Sequence, residues 1–96
     1  MRYFHRTNAS PEQVLDVAKS FFGGRLNPAE ESPRRRAYHG TLGRITISAR
    51  PEGGHYTFVE AATDQVGESE LDKLAKRFLA ELHRAAEPTH EVRGAY

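Results

Sequence analysis

The 96-residue chain has no cysteine, no tryptophan and no long run of apolar residues. The lack of cysteine excludes a disulfide scaffold, a thiol nucleophile and a zinc site built from thiolates. The segment after the first residues is polar rather than apolar, which is the pattern of neither a signal peptide nor a membrane-spanning helix. Together these absences predict a cytoplasmic protein.

The chain also lacks a strong excess of one charge. It has 14 lysines and arginines against 13 aspartates and glutamates, so its formal net charge is +1. A dedicated nucleic-acid-binding protein usually has a larger positive excess, so any basic surface has to arise from local clustering. The length suits one domain, which we assign to residues 1–86. Residues 87–96 show little periodicity and are predicted to form a flexible tail.

Two segments carry the signals of helices. A capping-box pattern that begins at Ser10 starts a helix over residues 11–22, and two glycines end it. A second helix is predicted to begin near Ser69 and to end before Pro88. Each helix has a single apolar stripe, so each is expected to bury one face.

The remaining pattern predicts an α+β domain with element order βαβββα. Strand-like alternation occurs in residues 2–7, 34–39, 43–50 and 55–62. Residues 26–33 contain two prolines and are predicted to form a loop. We therefore expect a four-stranded antiparallel sheet with both helices packed on one face, which leaves the other face open.

The parity of the last predicted hairpin decides which of its residues face the helices. A turn with an even number of residues places Ile47 beside Phe58 on the buried face, whereas an odd turn places Phe58 among the arginines. Burial of two large apolar side chains favours the even turn, with Glu60 also on the buried face. In the first strand, a Phe4 side chain that points into the core directs the side chains of Tyr3 and His5 to the open face.

The hairpin before it is open to two interpretations, because glycines flank its turn. An odd turn adds Arg34, Arg36 and Tyr38 to the open face. An even turn adds a different set of three, namely Arg35, Ala37 and His39. Either choice brings arginine to that face.

The open face is therefore the candidate binding surface. Guanidinium groups pair with phosphates and carboxylates through two parallel hydrogen bonds, and tyrosines beside them suit base stacking. The alternative is a solvated face on which nearby glutamates neutralise the arginines. The residues predicted to form the binding face are Tyr3, His5, Arg36, Tyr38, Arg44, Thr46, Ser48, Arg50, His55 and Thr57.

Signals for catalysis or metal binding are absent from the sequence. None of the five histidines stands at a ligand-like spacing, and no nucleophile motif, phosphate loop or dinucleotide fingerprint occurs. We expect no catalytic residue, no cofactor and no metal. The alternative left open is Glu60 acting as an acid or base beneath a ligand cavity, although an ion pair at the sheet margin suits it better.

The order of elements up to about residue 86, with Gly23-Gly24 and the hairpin over residues 44–61 at the joins, resembles one repeat of the TATA-binding-protein saddle or a shortened helix-grip (START-like) domain. That resemblance implies that two copies pair edge to edge into a continuous saddle or around a shared cavity. Residues 11–86 are also similar in αβββα order to the double-stranded-RNA-binding domain. That family has a lysine cluster where this chain has Glu68, Glu70 and Asp72, which argues against RNA.

These observations lead to three hypotheses. The first is a non-enzymatic binding module, forming a homodimer, whose open sheet face or dimer groove contacts an anionic ligand or a protein partner. The second is nucleic-acid binding on the same basic face. The third is a small ligand carrier or enzyme of helix-grip type, which requires an enclosed pocket between the sheet and the long helix.

Overall fold

The computed structural model describes residues 1–86, and the predicted tail over residues 87–96 lies outside the described residues. The elements in chain order are β1 (Arg2–Thr7), α1 (Pro11–Phe22), β2 (Asn27–Ser32), β3 (Arg35–Gly40), β4 (Gly43–Glu52), β5 (Tyr56–Thr63) and α2 (Glu70–Ala86). The strands form one antiparallel sheet in the order β1-β5-β4-β3-β2. The α+β class and the two helices are as predicted, but the sheet has five strands rather than four.

The additional strand is β2, in the segment that was predicted to be a loop. It pairs with β3 along the edge of the sheet, and the pairing shifts by one residue between Pro28 and Glu30. Proline is tolerated there because an edge strand leaves one side of its backbone without a partner, and the bulge absorbs the irregular spacing. Pro28 therefore marks an edge strand rather than the absence of a strand, whereas Pro33 lies in the turn between β2 and β3.

Both helices pack on the same face of the sheet. The side chain of Ser10 accepts a hydrogen bond from the Gln13 backbone, and the Gln13 side chain accepts one from the Ser10 backbone, so the predicted capping box forms. The apolar stripes of the two helices meet the sheet in one hydrophobic core. Its largest fully buried side chains are those of Tyr38, Phe22, Phe78, Leu15, Ile45, Ile47, Leu71 and Leu82.

The turn between β4 and β5 has three residues, so the prediction of an even turn is wrong. Gly53 and Gly54 adopt φ values of 64° and 80°, which residues with a side chain rarely adopt. The register sets Ala49 beside Val59 and Arg50 beside Phe58. The small and β-branched side chains of β5 thus lie under the helices, and Phe58 lies on the open face with the arginines.

The helix-facing side of β5 has little room for a large ring. Val59 and Ala61 are completely buried there, and the rings of Phe22 and Phe78 already pack together 5.4 Å apart beneath the helices. A close-packed core does not accept added volume without strain, so the larger residues of β5 occupy the other face. Packing volume therefore outweighs the simple preference for burying Phe58.

Candidate functional site

The open face of the sheet presents the strand residues that alternate with the buried ones. Ile45, Ile47 and Ala49 of β4 belong to the core, so the residues between them point away from the helices. Residues paired across antiparallel strands share a face. On this basis the face carries Arg2, Phe4 and Arg6 from β1; Tyr56, Phe58, Glu60 and Ala62 from β5; Arg44, Thr46, Ser48, Arg50 and Glu52 from β4; Arg35, Ala37 and His39 from β3; and Asn27, Glu30 and Ser32 from β2.

Several residues predicted for the binding face lie where the sequence placed them. These are Arg44, Thr46, Ser48 and Arg50, which alternate along β4. His55 lies in the turn between β4 and β5 and is exposed. The β4 part of the predicted surface is thus present on the open face.

The two predicted residues of β1 point toward the helices instead. Tyr3 and His5 share the helix side of the sheet with their partners on β5, and this reversal leaves Phe4 outside. The Tyr3 hydroxyl donates a hydrogen bond to Asp72 of α2 at 3.1 Å, and the His5 ring meets the edge of His83 at 6.0 Å. A tyrosine suits this place because its ring packs on the core while its hydroxyl keeps a polar partner.

The other three, Arg36, Tyr38 and Thr57, also face the helix side. The β3–β4 turn has two residues, so Arg36 and Tyr38 lie beside the buried isoleucines of β4. The Tyr38 ring stacks on Phe22 at 5.4 Å, and burial raises the pKa of its hydroxyl. Thr57 donates a hydrogen bond to the carbonyl of Ala9 at 2.6 Å. Arg35, Ala37 and His39 therefore occupy the open face in β3.

Most arginines of the open face have a carboxylate partner. Arg2 lies 3.6 Å from Glu60, and Arg6 lies 2.6 Å from Glu52. Glu30 of β2 approaches two arginines of the face, Arg35 at 3.9 Å and Arg44 at 3.8 Å. Arg2 and Arg6 are thereby neutralised, whereas the single carboxylate of Glu30 serves two guanidinium groups, so Arg35 and Arg44 together keep a net positive charge. The Arg2–Glu60 pair is the kind of ion pair that the sequence favoured for Glu60 over an acid or base beneath a cavity, although it forms on the open face rather than on the buried face that an even turn predicts.

Arg50 is different. Among residues 1–86, no carboxylate oxygen lies within 4.0 Å of its guanidinium nitrogens, and the group lies over the ring of Phe58, 4.7 Å from the ring centroid. The aromatic face attracts the cation but leaves its N–H groups free to point elsewhere. This guanidinium is therefore held in place without being neutralised.

A pocket of about 230 Å³ opens beside Arg50 on this face. Its walls carry three arginines, one glutamate, two serine hydroxyls and the Phe58 ring. The complete lining is Ser32, Arg34, Arg35, Ser48, Ala49, Arg50, Phe58 and Glu60. Three arginines and two serines therefore border a concave surface whose exposed lining is mostly apolar.

Part of this pocket was not predicted from the sequence. Phe58 was expected on the buried face, Arg35 was placed on the open face only by the even-turn alternative of the β3–β4 hairpin, and Ser32 was in the segment predicted to be a loop. The signal that favours the observed arrangement is the pair Val59 and Ala61, whose sizes suit positions under helices better than Phe58 does. The two adjacent glycines of the turn are compatible with it.

Within residues 1–86, no group of three or more histidine, aspartate or glutamate side chains is arranged to hold a metal ion. No helix in the same range is long and apolar enough to cross a membrane. Between α2 and the sheet, the buried side chains of Leu71, Ala75, Phe78 and Leu82 belong to the core.

Comparison with models of known protein families and with curated proteins found no match. The function has to be inferred from the chemistry of the pocket itself.

Proposed function

We propose that the protein is a non-enzymatic binding module that holds an anionic ligand in the open-face pocket beside Arg50. The observation that carries the proposal is the guanidinium of Arg50, which lies over Phe58 with no carboxylate within 4.0 Å among residues 1–86. An arginine fixed by an aromatic ring keeps its N–H donors available to a phosphate or carboxylate group.

The lining also indicates how the ligand is oriented. Glu60 lies at one side of the pocket and repels an anion, whereas Ser32, Ser48 and Arg35 lie toward the β3 and β2 side. The anionic group is therefore expected between Arg50 and Arg35, with any flat apolar part of the ligand against Phe58. A molecule that combines an aromatic ring with a phosphate suits this layout.

Calorimetric titration with phenyl phosphate tests the proposal. Wild-type protein is expected to bind this probe, and Arg50→Gln is expected to weaken binding by about tenfold, because a charge-assisted hydrogen bond contributes about 1.5 to 3 kcal/mol. The matched control is Arg44→Gln, which removes a guanidinium from the same face of β4 that already lies 3.8 Å from Glu30. This control is expected to change the affinity by less than about twofold. Equal affinities for wild type and Arg50→Gln, or no binding of phenyl phosphate, contradict the proposal.

We also propose that the protein forms a homodimer through the outer edge of β1. The two edges of the sheet differ: β2 has a bulge, a proline and two adjacent glutamates, which discourage pairing with another strand. β1 pairs with β5 without a break over six residues and contains neither proline nor a bulge. Pairing of two such edges gives the continuous sheet implied by the resemblance to the TATA-binding-protein saddle.

Sedimentation equilibrium over a range of concentrations tests the dimer. We expect the weight-average mass to approach that of two chains at tens of micromolar, because the outer edge of β1 has no proline or bulge and offers a row of backbone hydrogen-bonding groups. The matched variants are Phe4→Pro in β1, which removes a backbone donor from that strand, and Ala29→Pro in β2, which does so at the opposite edge. Only Phe4→Pro is expected to shift the weight-average mass toward that of a single chain. A strictly monomeric wild type at these concentrations eliminates the dimer.

A further inference from the structure

A row of planar groups crosses part of the open face. The rings of Phe4 on β1 and Phe58 on β5 stack with their centroids 5.5 Å apart and an angle of 28° between them. The Arg50 guanidinium of β4 continues the row at 4.7 Å from the Phe58 centroid. The row thus passes from the edge of the sheet to the anion pocket, diagonally from β1 to β5 and then straight across to β4.

The outer end of this row is open to solvent. Phe4 is 55% exposed, and Tyr56, also on this face, is 52% exposed. Exposed aromatic side chains gain nothing from burial where they are, but each offers a flat surface to another ring. The rest of the face consists mainly of arginine, hydroxyl and carboxylate side chains, so the aromatic groups form a narrow row rather than a broad apolar patch.

Building on the proposed anion pocket, we propose that its natural ligand is single-stranded nucleic acid that crosses the open face from β1 toward β3. A base stacks on the exposed ring of Phe4, and the phosphates that follow lie against Arg50 and Arg35. Base–aromatic stacking beside guanidinium groups is how unpaired strands are held without dependence on sequence. Unpaired bases reach such a row, whereas duplex bases are stacked on one another, so duplex DNA does not use Phe4.

This arrangement fits the surface better than a protein partner does. The centre of a protein interface usually forms a wider and mostly apolar patch. Here the apolar part of the face is a narrow row of rings flanked by the guanidinium groups of Arg6 and Arg50, and among the described residues Arg50 has no carboxylate within 4.0 Å. A flexible polyanion supplies bases that stack on the row and a negative charge that pairs with Arg50.

Fluorescence anisotropy with labelled oligothymidylate and oligouridylate at low salt tests the inference. Phe4→Leu keeps the apolar bulk but removes the ring, and we expect it to weaken binding of the single strand by about tenfold. The control is Leu42→Ala at the β3–β4 turn, which changes an exposed apolar side chain away from the row and is expected to leave the affinity unchanged. Thermal unfolding of each variant verifies that the fold is retained.

The salt dependence gives an independent readout. With two phosphates held by Arg50 and Arg35, the logarithm of the affinity is expected to fall with the logarithm of salt concentration with a slope of about −1.4, and Arg50→Gln reduces this slope by about 0.7. The relative affinities for oligothymidylate and oligouridylate show whether DNA or RNA is preferred. Both are expected to bind more tightly than the oligothymidylate–oligodeoxyadenylate duplex.

Several results overturn the inference. One is that the single-stranded oligonucleotides bind no more tightly than phenyl phosphate. That result overturns the nucleic-acid ligand but not the proposed anion pocket. Others are a duplex that binds as tightly as the single strand, or equal affinities for wild type and Phe4→Leu. If the open face instead packs against a second copy of the chain, Phe4→Leu dissociates that dimer and neither oligonucleotide binds. Failure of phenyl phosphate itself removes the proposed function as well.

Discussion

Phe78→Ala is expected to lower the free energy of unfolding by about 3 to 5 kcal/mol, the usual effect of removing a fully buried ring and leaving a cavity. Phe78 is completely buried and packs against Phe21 and Phe22, with ring centroids 6.0 Å and 5.4 Å away. The same change at Phe58 is expected to lower it by only about 1 kcal/mol, because that ring lies on the open face and loses mainly its contacts with Phe4 and Arg50.

Guanidinium denaturation of wild type and the two variants measures this difference. The comparison is matched because both substitutions remove the same atoms from the same residue type. It tests the register of β4 and β5 directly, since an even turn places Phe58 in the core. A loss of stability at Phe58 as large as that at Phe78 contradicts the observed register.

Asp72→Asn is expected to lower the stability at neutral pH by about 2 to 3 kcal/mol, because hydrogen bonds to a charged group are the stronger ones. The carboxylate of Asp72 is completely buried and accepts hydrogen bonds from the hydroxyls of Ser69 at 2.6 Å, Thr63 at 2.8 Å and Tyr3 at 3.1 Å. These bonds connect α2 to β1 and β5. Asparagine keeps the shape but replaces one acceptor oxygen with a donor.

The same cluster predicts a dependence on pH. Burial of Asp72 opposes its ionisation, but the hydrogen bonds from Ser69, Thr63 and Tyr3 outweigh burial, so the pKa of this carboxyl is below its ordinary value. A lowered pKa contributes stability above the ordinary range of aspartate, near pH 4, and that stability is lost as the pH falls through the folded-state pKa. The pKa of Asp64 is also lowered, chiefly by the Arg44 backbone N–H, so wild type loses stability in this window from both groups.

Chemical denaturation at several pH values between neutrality and about pH 3 separates the two contributions. Asp72→Asn is expected to lose less stability on acidification than wild type, because the remaining decline no longer includes Asp72. The control is Glu70→Gln in the same helical turn, whose carboxylate is exposed and 3.5 Å from Lys73. Parallel stability curves for wild type and Asp72→Asn contradict the hydrogen-bonded cluster.

The helices could be predicted because their signals are local. The capping box at Ser10 and the apolar stripe behind it involve residues a few positions apart, and the structure contains both. Strand β2 was not predicted, because the two prolines of residues 26–33, one of them inside β2, indicate a loop unless the chain is known to lie at a sheet edge. Edge position depends on pairing with β3, which residues 26–33 alone do not reveal.

Which side chains lie on which face of the sheet depends on whether each turn has an even or an odd number of residues. One extra residue between β4 and β5 reverses every side chain of the second strand, so Phe58 moves outward and Val59 inward. Ser48 and Arg50 on β4 were therefore predicted on the open face and Phe58 was not, while Arg35 was placed there only by the even-turn alternative of the β3–β4 hairpin. The space beneath the two helices decides which side chains of β5 are buried. That space is known only once the helices are packed on the sheet.

Two-dimensional NMR titration of the 15N-labelled protein with phenyl phosphate tests the central claim most directly, because it reports where the anion binds. The account predicts that the largest shifts occur at the amides of Ser32, Arg35, Ser48, Arg50 and Phe58, on the neighbouring strands that line the open-face pocket, and that Arg50→Gln abolishes most of them. Shifts confined to the two helices, or a spectrum that phenyl phosphate leaves unchanged, would contradict it.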